Sequence, residues 1–334
     1  MITINRYFSL TIFVISFLAI GYFVANRDIY ALNDTYQYYD FFRSIKEVGL
    51  HYDGRFEFGF FITTFASAYL FIEHESYFFL LFLILVLGYF LIGKEVSFND
   101  GSQGAFLILL LIFLLFSSWF KASSTNGLRQ GISIVFLYIS LIRLINGQRL
   151  SFLVFFVFSV SFHSSALLVI PFIVFLKLFE RVKWFGFFVL SLLYPLGVYE
   201  SLVQIFSSVT GIPLYSTIKQ YGALIADYRN GFQLDLYIYT IGYFSIFIFV
   251  RKYMKKCSLA NFDVLMKVYA ALSLLYFVFG YANYSNRYGY MAWALIPVLQ
   301  AYALNGLKLR EEYKYMLVVF LFPFSILYFI NGVI

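Results

Sequence analysis

Apolar stretches long enough to matter for a bilayer follow one another along nearly the whole chain, at approximately 7–25, 56–72, 77–93, 104–120, 131–145, 150–162, 166–180, 184–206, 232–250, 264–281, 290–304 and 316–333. One water-soluble core cannot absorb that much apolar surface. Of the 334 residues, 62% are hydrophobic and 12% charged, whereas soluble domains hold about half and about a quarter. The solvent for most of the chain is therefore lipid. Lipid leaves backbone groups no partner except inside a helix or a closed barrel. The runs are continuous, without the polar alternation of barrel strands, so helix is the assignment throughout. A bilayer core of about 30 Å takes roughly 20 helical residues, and several runs are shorter than that, which predicts an all-α, polytopic integral membrane protein of about 10–12 transmembrane helices. No linker sets a soluble domain apart, so residues 1–334 read as a single transmembrane domain with long polar loops at about 26–55 and 207–231. The run from Tyr7 is long for a signal-peptide core and lacks a small-x-small cleavage site, so it reads as a retained first helix.

A net charge of +7 would point a soluble protein toward nucleic acid. Here the basic residues stand mainly in short loops, where they set orientation, and no nucleic-acid partner is expected. Lys94, Arg143 and Arg149, Lys177, Arg181 and Lys183, Arg251, Lys252, Lys255 and Lys256, and Lys308, Arg310 and Lys314 mark alternate loops. The positive-inside rule places that set in the cytoplasm. It places Thr125–Gln130, His163, the 207–231 loop and Asn283–Arg287 on the outer face of a cytoplasmic (inner) membrane. Alternation backward from Lys94 conflicts with an outer 26–55 loop unless the 56–76 region re-enters instead of crossing. Its Thr63, Thr64 and Ser67 make it the least lipid-like early segment; an outer 26–55 loop is the preferred reading, and it requires either re-entry of 56–76 or a different set of segments. The lone Cys257 allows no disulfide framework. His51, His74 and His163 are not at metal-ligand spacing, so neither metal nor cofactor is expected.

Four polar constellations interrupt the apolar pattern. The first runs Asn33-Asp34-Thr35-Tyr36-Gln37-Tyr38-Tyr39-Asp40, with Arg55-Phe56-Glu57 beyond it. Asp34 suits a helix cap, and Tyr36, Tyr39 and Phe42 recur on one helical face, as on an interfacial helix. A carboxylate there could take a proton from a sugar hydroxyl if burial raised its pKa; a capping Asp on a solvated helix explains the spacing equally. Glu57 is sharper, because an ionisable group opening an apolar segment is costly and turns inward. The second constellation, Ser123-Ser124-Thr125-Asn126-Gly127-Leu128-Arg129-Gln130, opens a helix. Arg129 offers a planar fork of donors to a phosphate, beside the free N–H groups of a helix N-terminus; an arginine snorkelling to headgroups is the plain alternative. The third is His163, between two short apolar runs, either a base or phosphate donor or a hydrogen-bonded packing residue. The fourth, Asn283-Tyr284-Ser285-Asn286-Arg287-Tyr288-Gly289-Tyr290, again presents an arginine at a helix start. Two such arginines on one face would match a diphosphate. The 207–231 loop adds tyrosines able to stack on sugars, and Asp227.

Taken in order, Asp34–Tyr39, Phe56–Phe60, Asn126–Gln130, Phe162–Leu167 and Arg287–Tyr290 resemble the EpsG/Wzy-type polysaccharide polymerase family, over roughly 30–295. The resemblance implies a GT-C-like, metal-independent membrane glycosyltransferase. Such an enzyme moves a growing O-antigen or capsule glycan from undecaprenyl pyrophosphate to the non-reducing end of a new lipid-linked repeat, on the periplasmic face. It implies undecaprenyl-pyrophosphate-linked oligosaccharide and the bilayer as partners, and a chain-length regulator as a further one. Carried onto this chain, Arg129 and Arg287 hold the donor pyrophosphate, with Asn126, Gln130 and Tyr290 lining the substrate site. His163 assists at the phosphate, and Asp34 or Glu57 is the candidate base, with Asp40 and Asp227 as substitutes. An O-antigen ligase would use similar residues. A lipid-linked sugar flippase would show broken helices near the midplane, and a membrane acyltransferase would need His163 alone.

Overall fold

The computed structural model describes residues 6–49, 54–96, 103–220 and 231–333; among these every regular element is helical and no β-strand occurs. In chain order the helices are α1 (Arg6–Ala25), α2 (Asn33–Val48), α3 (Phe58–Leu70), α4 (His74–Glu95), α5 (Gln103–Phe116), α6 (Ser118–Ser124), α7 (Leu128–Ile145) and α8 (Arg149–Phe162). A 3₁₀ segment, Ser164–Phe172, leads into α9 (Ile173–Leu192), α10 (Val198–Thr210), α11 (Leu214–Gln220), α12 (Leu234–Arg251), α13 (Lys256–Phe279), α14 (Ser285–Trp293), α15 (Ile296–Gly306) and α16 (Glu311–Ile330). The protein is an all-α polytopic membrane protein. Among the described residues, α1, α4, α7, α12, α13 and α16 are long and apolar enough to cross a bilayer, and α5 with α6, bent by 81°, can form a seventh span. Of the stretches behind the expected about 10–12 spans, those at Phe58–Leu70, Arg149–Phe162 and Ser164–Leu176 fold as shorter apolar helices.

The chain divides into two compact units: Met1–Leu167 with Met254–Phe262 and Gln300–Ile334, and Leu168–Tyr253 with Asp263–Leu299. The first is built on α7. In lipid, apolar contact alone gives helices little reason to associate, so small residues and interhelical hydrogen bonds set the packing. Gly88 brings α4 against α7 so closely that a Cβ there would lie 2.3 Å from Val135 Cγ2. Along α8, Ser133 Oγ donates to Ser159 O at 2.8 Å, Ser159 Oγ donates to Ser133 O at 2.8 Å, and Ser140 Oγ donates to Phe152 O at 3.1 Å. That pairing makes α8 antiparallel to α7.

Both ends of this unit are pinned by arginines. At one end Arg143, near the end of α7, pairs with Glu95, the last residue of α4, and with Gln148. At the other, Arg27 lies 4.4 Å over the Phe78 ring near the start of α4 and donates to Thr125 O just before α7 at 3.0 Å. Helices α4 and α7 are therefore parallel. Helix α3 begins at this second end, where Glu57 meets Arg129, and its exit carbonyls, Phe71 O and Ile72 O, accept from Lys46 Nζ of α2 at 3.3 and 2.6 Å. Since α4 then starts from the same end, α3 returns to the face it left. At 13 residues α3 is one of the shorter apolar helices, and both its ends lie at this end of the unit.

Within the second unit, α12 and α13 are joined by a bidentate ion pair, Arg251 Nε and Nη2 to Asp263 Oδ1 and Oδ2 at 2.6 and 2.7 Å. The Trp293 indole donates to Thr240 Oγ1 at 2.9 Å, and Tyr269 OH donates to Thr240 O at 3.0 Å. Tyr194 OH donates to Gly280 O at 2.9 Å, beside a glycine whose Cβ would strike the Tyr194 ring.

Candidate functional site

Arg129 is the second residue of α7 and Glu57 the residue immediately before α3. The path of α3, which starts and ends at one end of the unit, brings them together, with Arg129 Nη1 donating to Glu57 Oε2 at 2.6 Å. The pair is mostly enclosed, with side chains 19% and 20% exposed. One wall is aromatic: the guanidinium lies 4.5 Å from the Phe56 ring centroid and 5.6 and 5.7 Å from those of Tyr38 and Phe60. Such rings stabilise a cation without neutralising it. The other carboxylate oxygen, Glu57 Oε1, accepts from the Ser164 N–H at 3.0 Å and from Ser164 Oγ at 3.1 Å. Arg129 Nε is buried and has no hydrogen-bond partner among the described residues.

His163 closes α8 in an extended conformation, φ −158°, and its Nδ1 lies 2.7 Å from Ser165 Oγ. The break between α8 and the 3₁₀ segment is thus what delivers the Ser164 donors to Glu57. Desolvation pushes the Glu57 carboxyl up, but the Ser164 N–H, the Arg129 guanidinium and His163 outweigh it and hold the carboxyl below the usual glutamate range. This is the reverse of what a general base at neutral pH needs.

The expected cap role of Asp34 does not hold. Leu32 precedes α2 and offers no side-chain cap, while Asp34 stands in the first turn. The cap arrives from elsewhere in the chain: the Asp34 backbone N–H donates to Asn126 Oδ1 at 3.0 Å. The carboxamide oxygen of Asn126, expected among the substrate contacts, is thereby used to hold α2. The buried face of α2 is also shifted from the expected Tyr36, Tyr39 and Phe42. Tyr38, Phe41, Phe42 and Ile45 are buried and Tyr36 is 45% exposed, because α2 packs on Phe56, Phe60 and Phe61. Asp40, a substitute base, forms an exposed pair with Arg55 at 3.3 Å. Asp227, Arg229, His51 and Asn99–Gly101 lie outside the described residues.

Arg287 and Tyr290 belong to the second unit, on α14. Arg287 is exposed, its guanidinium 4.9 Å over the Tyr284 ring, and Tyr290 is buried. Tyr284 starts that helix in a left-handed conformation, φ 57°, an uncommon state for a non-glycine residue. Within the same unit Asn283 Nδ2 donates to Lys219 O at 3.4 Å, and the Gly231 N–H donates to Tyr281 O at 3.2 Å. Tyr281 and Asn283 therefore meet Gly231 and Lys219 of the 207–231 loop.

Two participants were not assigned roles from the sequence. Ser164 was visible only as the neighbour of His163. Arg27, just past the first apolar run, looks like an interfacial anchor, yet it is buried and bonds Val24 O, Thr35 Oγ1 and Thr125 O. Among the described residues one set could approach a metal ion, Glu73, His74 and Glu75, whose ligand atoms lie within 4.8 Å of one another. His74 there packs edge-on against Tyr39, 4.9 Å between centroids, and pairs with Glu75 at 3.4 Å.

Comparison with curated proteins and with solved structures finds no significant match. The model of the EpsG family matches residues 10–334, nearly the whole chain, and the protein belongs to that family.

Proposed function

We propose that this protein is a membrane glycosyltransferase that polymerises polysaccharide repeat units from polyprenyl-diphosphate-linked donors, with Arg129 as a principal diphosphate-binding group. Family membership supports a polysaccharide-polymerase role in general. The Glu57–Arg129–Ser164 cluster carries the specific reading: a caged arginine at the membrane end of a helix bundle, its fork oriented by a carboxylate that serine donors hold in place. In the reaction the acceptor sugar hydroxyl attacks the donor's anomeric carbon. The bond from that carbon to the diphosphate oxygen breaks, the hydroxyl proton passes to a base, and the polyprenyl diphosphate departs. Charge accumulates on the departing diphosphate, where a preorganised guanidinium stabilises the transition state more than the ground state.

In this reading Glu57 is the counter-ion that orients Arg129, and the base lies elsewhere. Arg287, near the start of α14, is proposed as a further anion-binding group, and His163, whose ring is fixed by Ser165, as an aid at the phosphate. The basic loop residues Arg143 and Arg149 at the opposite end of the first unit support an extracytoplasmic site by the positive-inside rule. The test is extension of defined lipid-linked repeats by the purified protein in detergent or vesicles. Ladders of multiple repeats are expected; a single condensation onto a different lipid core, or no condensation, overturns the reading.

The role given to Glu57 has its own outcome. Its ionised form is favoured in the fold, so its contribution is complete above the ordinary glutamate value of about 4.3 and is lost only as pH falls through a lower value. Across pH 6–8 the rate should show no step that disappears in Glu57→Gln. Glu57→Gln, whose single carboxamide oxygen can replace the acceptor for Arg129 or the one for Ser164 but not both, should cost about tenfold, against the 10²–10⁴-fold typical of a lost general base. An acid limb near neutrality that the substitution removes would make Glu57 the base after all.

A further inference from the structure

Directly below this cluster, α3 and α8 form the walls of an apolar groove of about 590 Å³, lined by Phe58, Ile62, Leu153, Val157 and Phe158. The helices meet at Gly59, where a Cβ would lie 2.3 Å from Ser161 Oγ, and the groove opens beside that contact. Its two polar side chains are internally satisfied: Thr63 Oγ1 donates to Gly59 O at 2.8 Å and Ser161 Oγ donates to Phe158 O at 2.8 Å. The groove therefore presents an apolar surface, and the large side chains along it are open: Phe58 is 63% exposed, Val157 65% and Leu153 53%.

What distinguishes it from an ordinary lipid-facing surface is continuity with the charged site. Its α3 wall starts at Phe58, next to Glu57, and its α8 wall ends at Phe162, next to His163 and Ser164. From there α8 runs toward the Arg143–Glu95 end, so the groove descends from the polar cluster into the apolar belt. Between Phe162 and Leu153 that descent spans about 14 Å at the helical rise. A ligand filling both parts needs an anionic head and one long, slender apolar tail, leaving the head downward into lipid. The geometry points to the α3–α8 groove as the seat of the first isoprene units of the polyprenyl diphosphate whose head Arg129 binds. This deepens the proposed function and rests on it. The path of α3 then has a purpose: it supplies both the counter-ion of the head site and one wall of the tail site.

The test compares two donors carrying the same glycan, one on a full-length polyprenyl diphosphate and one on a two-isoprene diphosphate. Val157→Trp and Ile62→Trp fill the groove from exposed positions, and Leu87→Trp, on the exposed side of α4, is the control. Each groove variant should lower extension from the long-chain donor by about tenfold, through KM, because the tail loses its apolar seat. Extension from the short donor should change by less than about twofold, as for substitutions away from a site. Equal losses on both donors, or losses matched by Leu87→Trp, overturn the groove assignment. Extension of neither donor by the wild-type protein overturns the parent reading, and the groove assignment with it. A second measurement does not depend on turnover: a polyprenyl diphosphate with a photoreactive group near its head should label peptides from 58–63 and 153–162, and excess unlabelled polyprenyl diphosphate should suppress that labelling. Suppression by phospholipid to the same extent would assign the groove to bulk lipid instead.

Discussion

Arg129→Ala is expected to insert as the wild type does, with a lower thermal midpoint, and to lose chain extension by about 10²–10³-fold, equivalent to about 3–4 kcal/mol of transition-state stabilisation. The size follows from where the guanidinium sits. It is held against three aromatic rings and by one carboxylate, and pays little ordering cost when a diphosphate arrives. A lysine at this position keeps the charge but not the planar fork, and should recover less than about a tenth of the lost rate. One complication is that removing the arginine leaves Glu57 enclosed without its cation, an arrangement that is itself destabilising. The double variant Arg129→Ala/Glu57→Ala removes both charges. If it regains wild-type thermal stability in detergent while remaining inactive, the loss belongs to phosphate binding and not to folding. Repeat ladders of normal length from Arg129→Ala would remove the arginine from the mechanism.

Most of the fold class was legible because bilayer physics leaves few alternatives. Continuous apolar runs could only be helices, and the charge pattern across Lys94, Arg143 and Arg149 anticipated which ends of α4, α7 and α8 lie together. The unusual path of 56–76 was legible as a conflict in the alternation, together with the small and hydroxylated residues of that segment. Span count was less legible, since hydropathy sees a run such as 166–180 but not that the chain there starts as a 3₁₀ segment, Ser164–Phe172. At the site, Glu57 and Arg129 stood out because each is an ionisable residue at the edge of an apolar helix. Their union did not, for they are 72 residues apart in the chain and spacing says nothing about a contact across that distance. The capping role of Asn126 was hidden for the same reason. Its side chain caps a helix start 92 residues earlier, a long-range use of a residue type whose local habits are turns and caps. Arg27 was overlooked because an arginine just past an apolar run ordinarily snorkels to water; only the fold reveals that this one is buried at 8% exposure.

That buried arginine carries the second large expectation. Arg27 Nη1 donates to Val24 O at the end of α1 at 2.5 Å, while Nη2 reaches Thr125 O before α7 at 3.0 Å and Thr35 Oγ1 on α2 at 3.4 Å. Thr35 Oγ1 also donates to Thr125 O at 3.2 Å, so the Arg27 side chain ties α1 and α2 to the backbone segment that precedes Arg129. Burial pulls its pKa down to about 10, which still leaves it charged at neutral pH. Arg27→Ala strands the Val24 carbonyl and leaves Thr125 O with Thr35 Oγ1 as its remaining side-chain donor, so a loss of about 1–3 kcal/mol is expected as a lower thermal midpoint. The 125–127 turn and the start of α2 are released together, since Asn126 caps the latter. Amide exchange should therefore speed up over 33–36 and 125–130 while α12 and α13 keep wild-type protection. Extension should fall through a lower kcat, because Arg129 loses its fixed approach even though the residue itself is intact. Arg27→Lys, reaching one carbonyl but not both, should restore part of the midpoint and little of the rate. If Arg27→Ala keeps full activity with unchanged exchange over 125–130, the cluster at Arg129 is positioned by α3 alone, and the tie through Thr125 has no part in it.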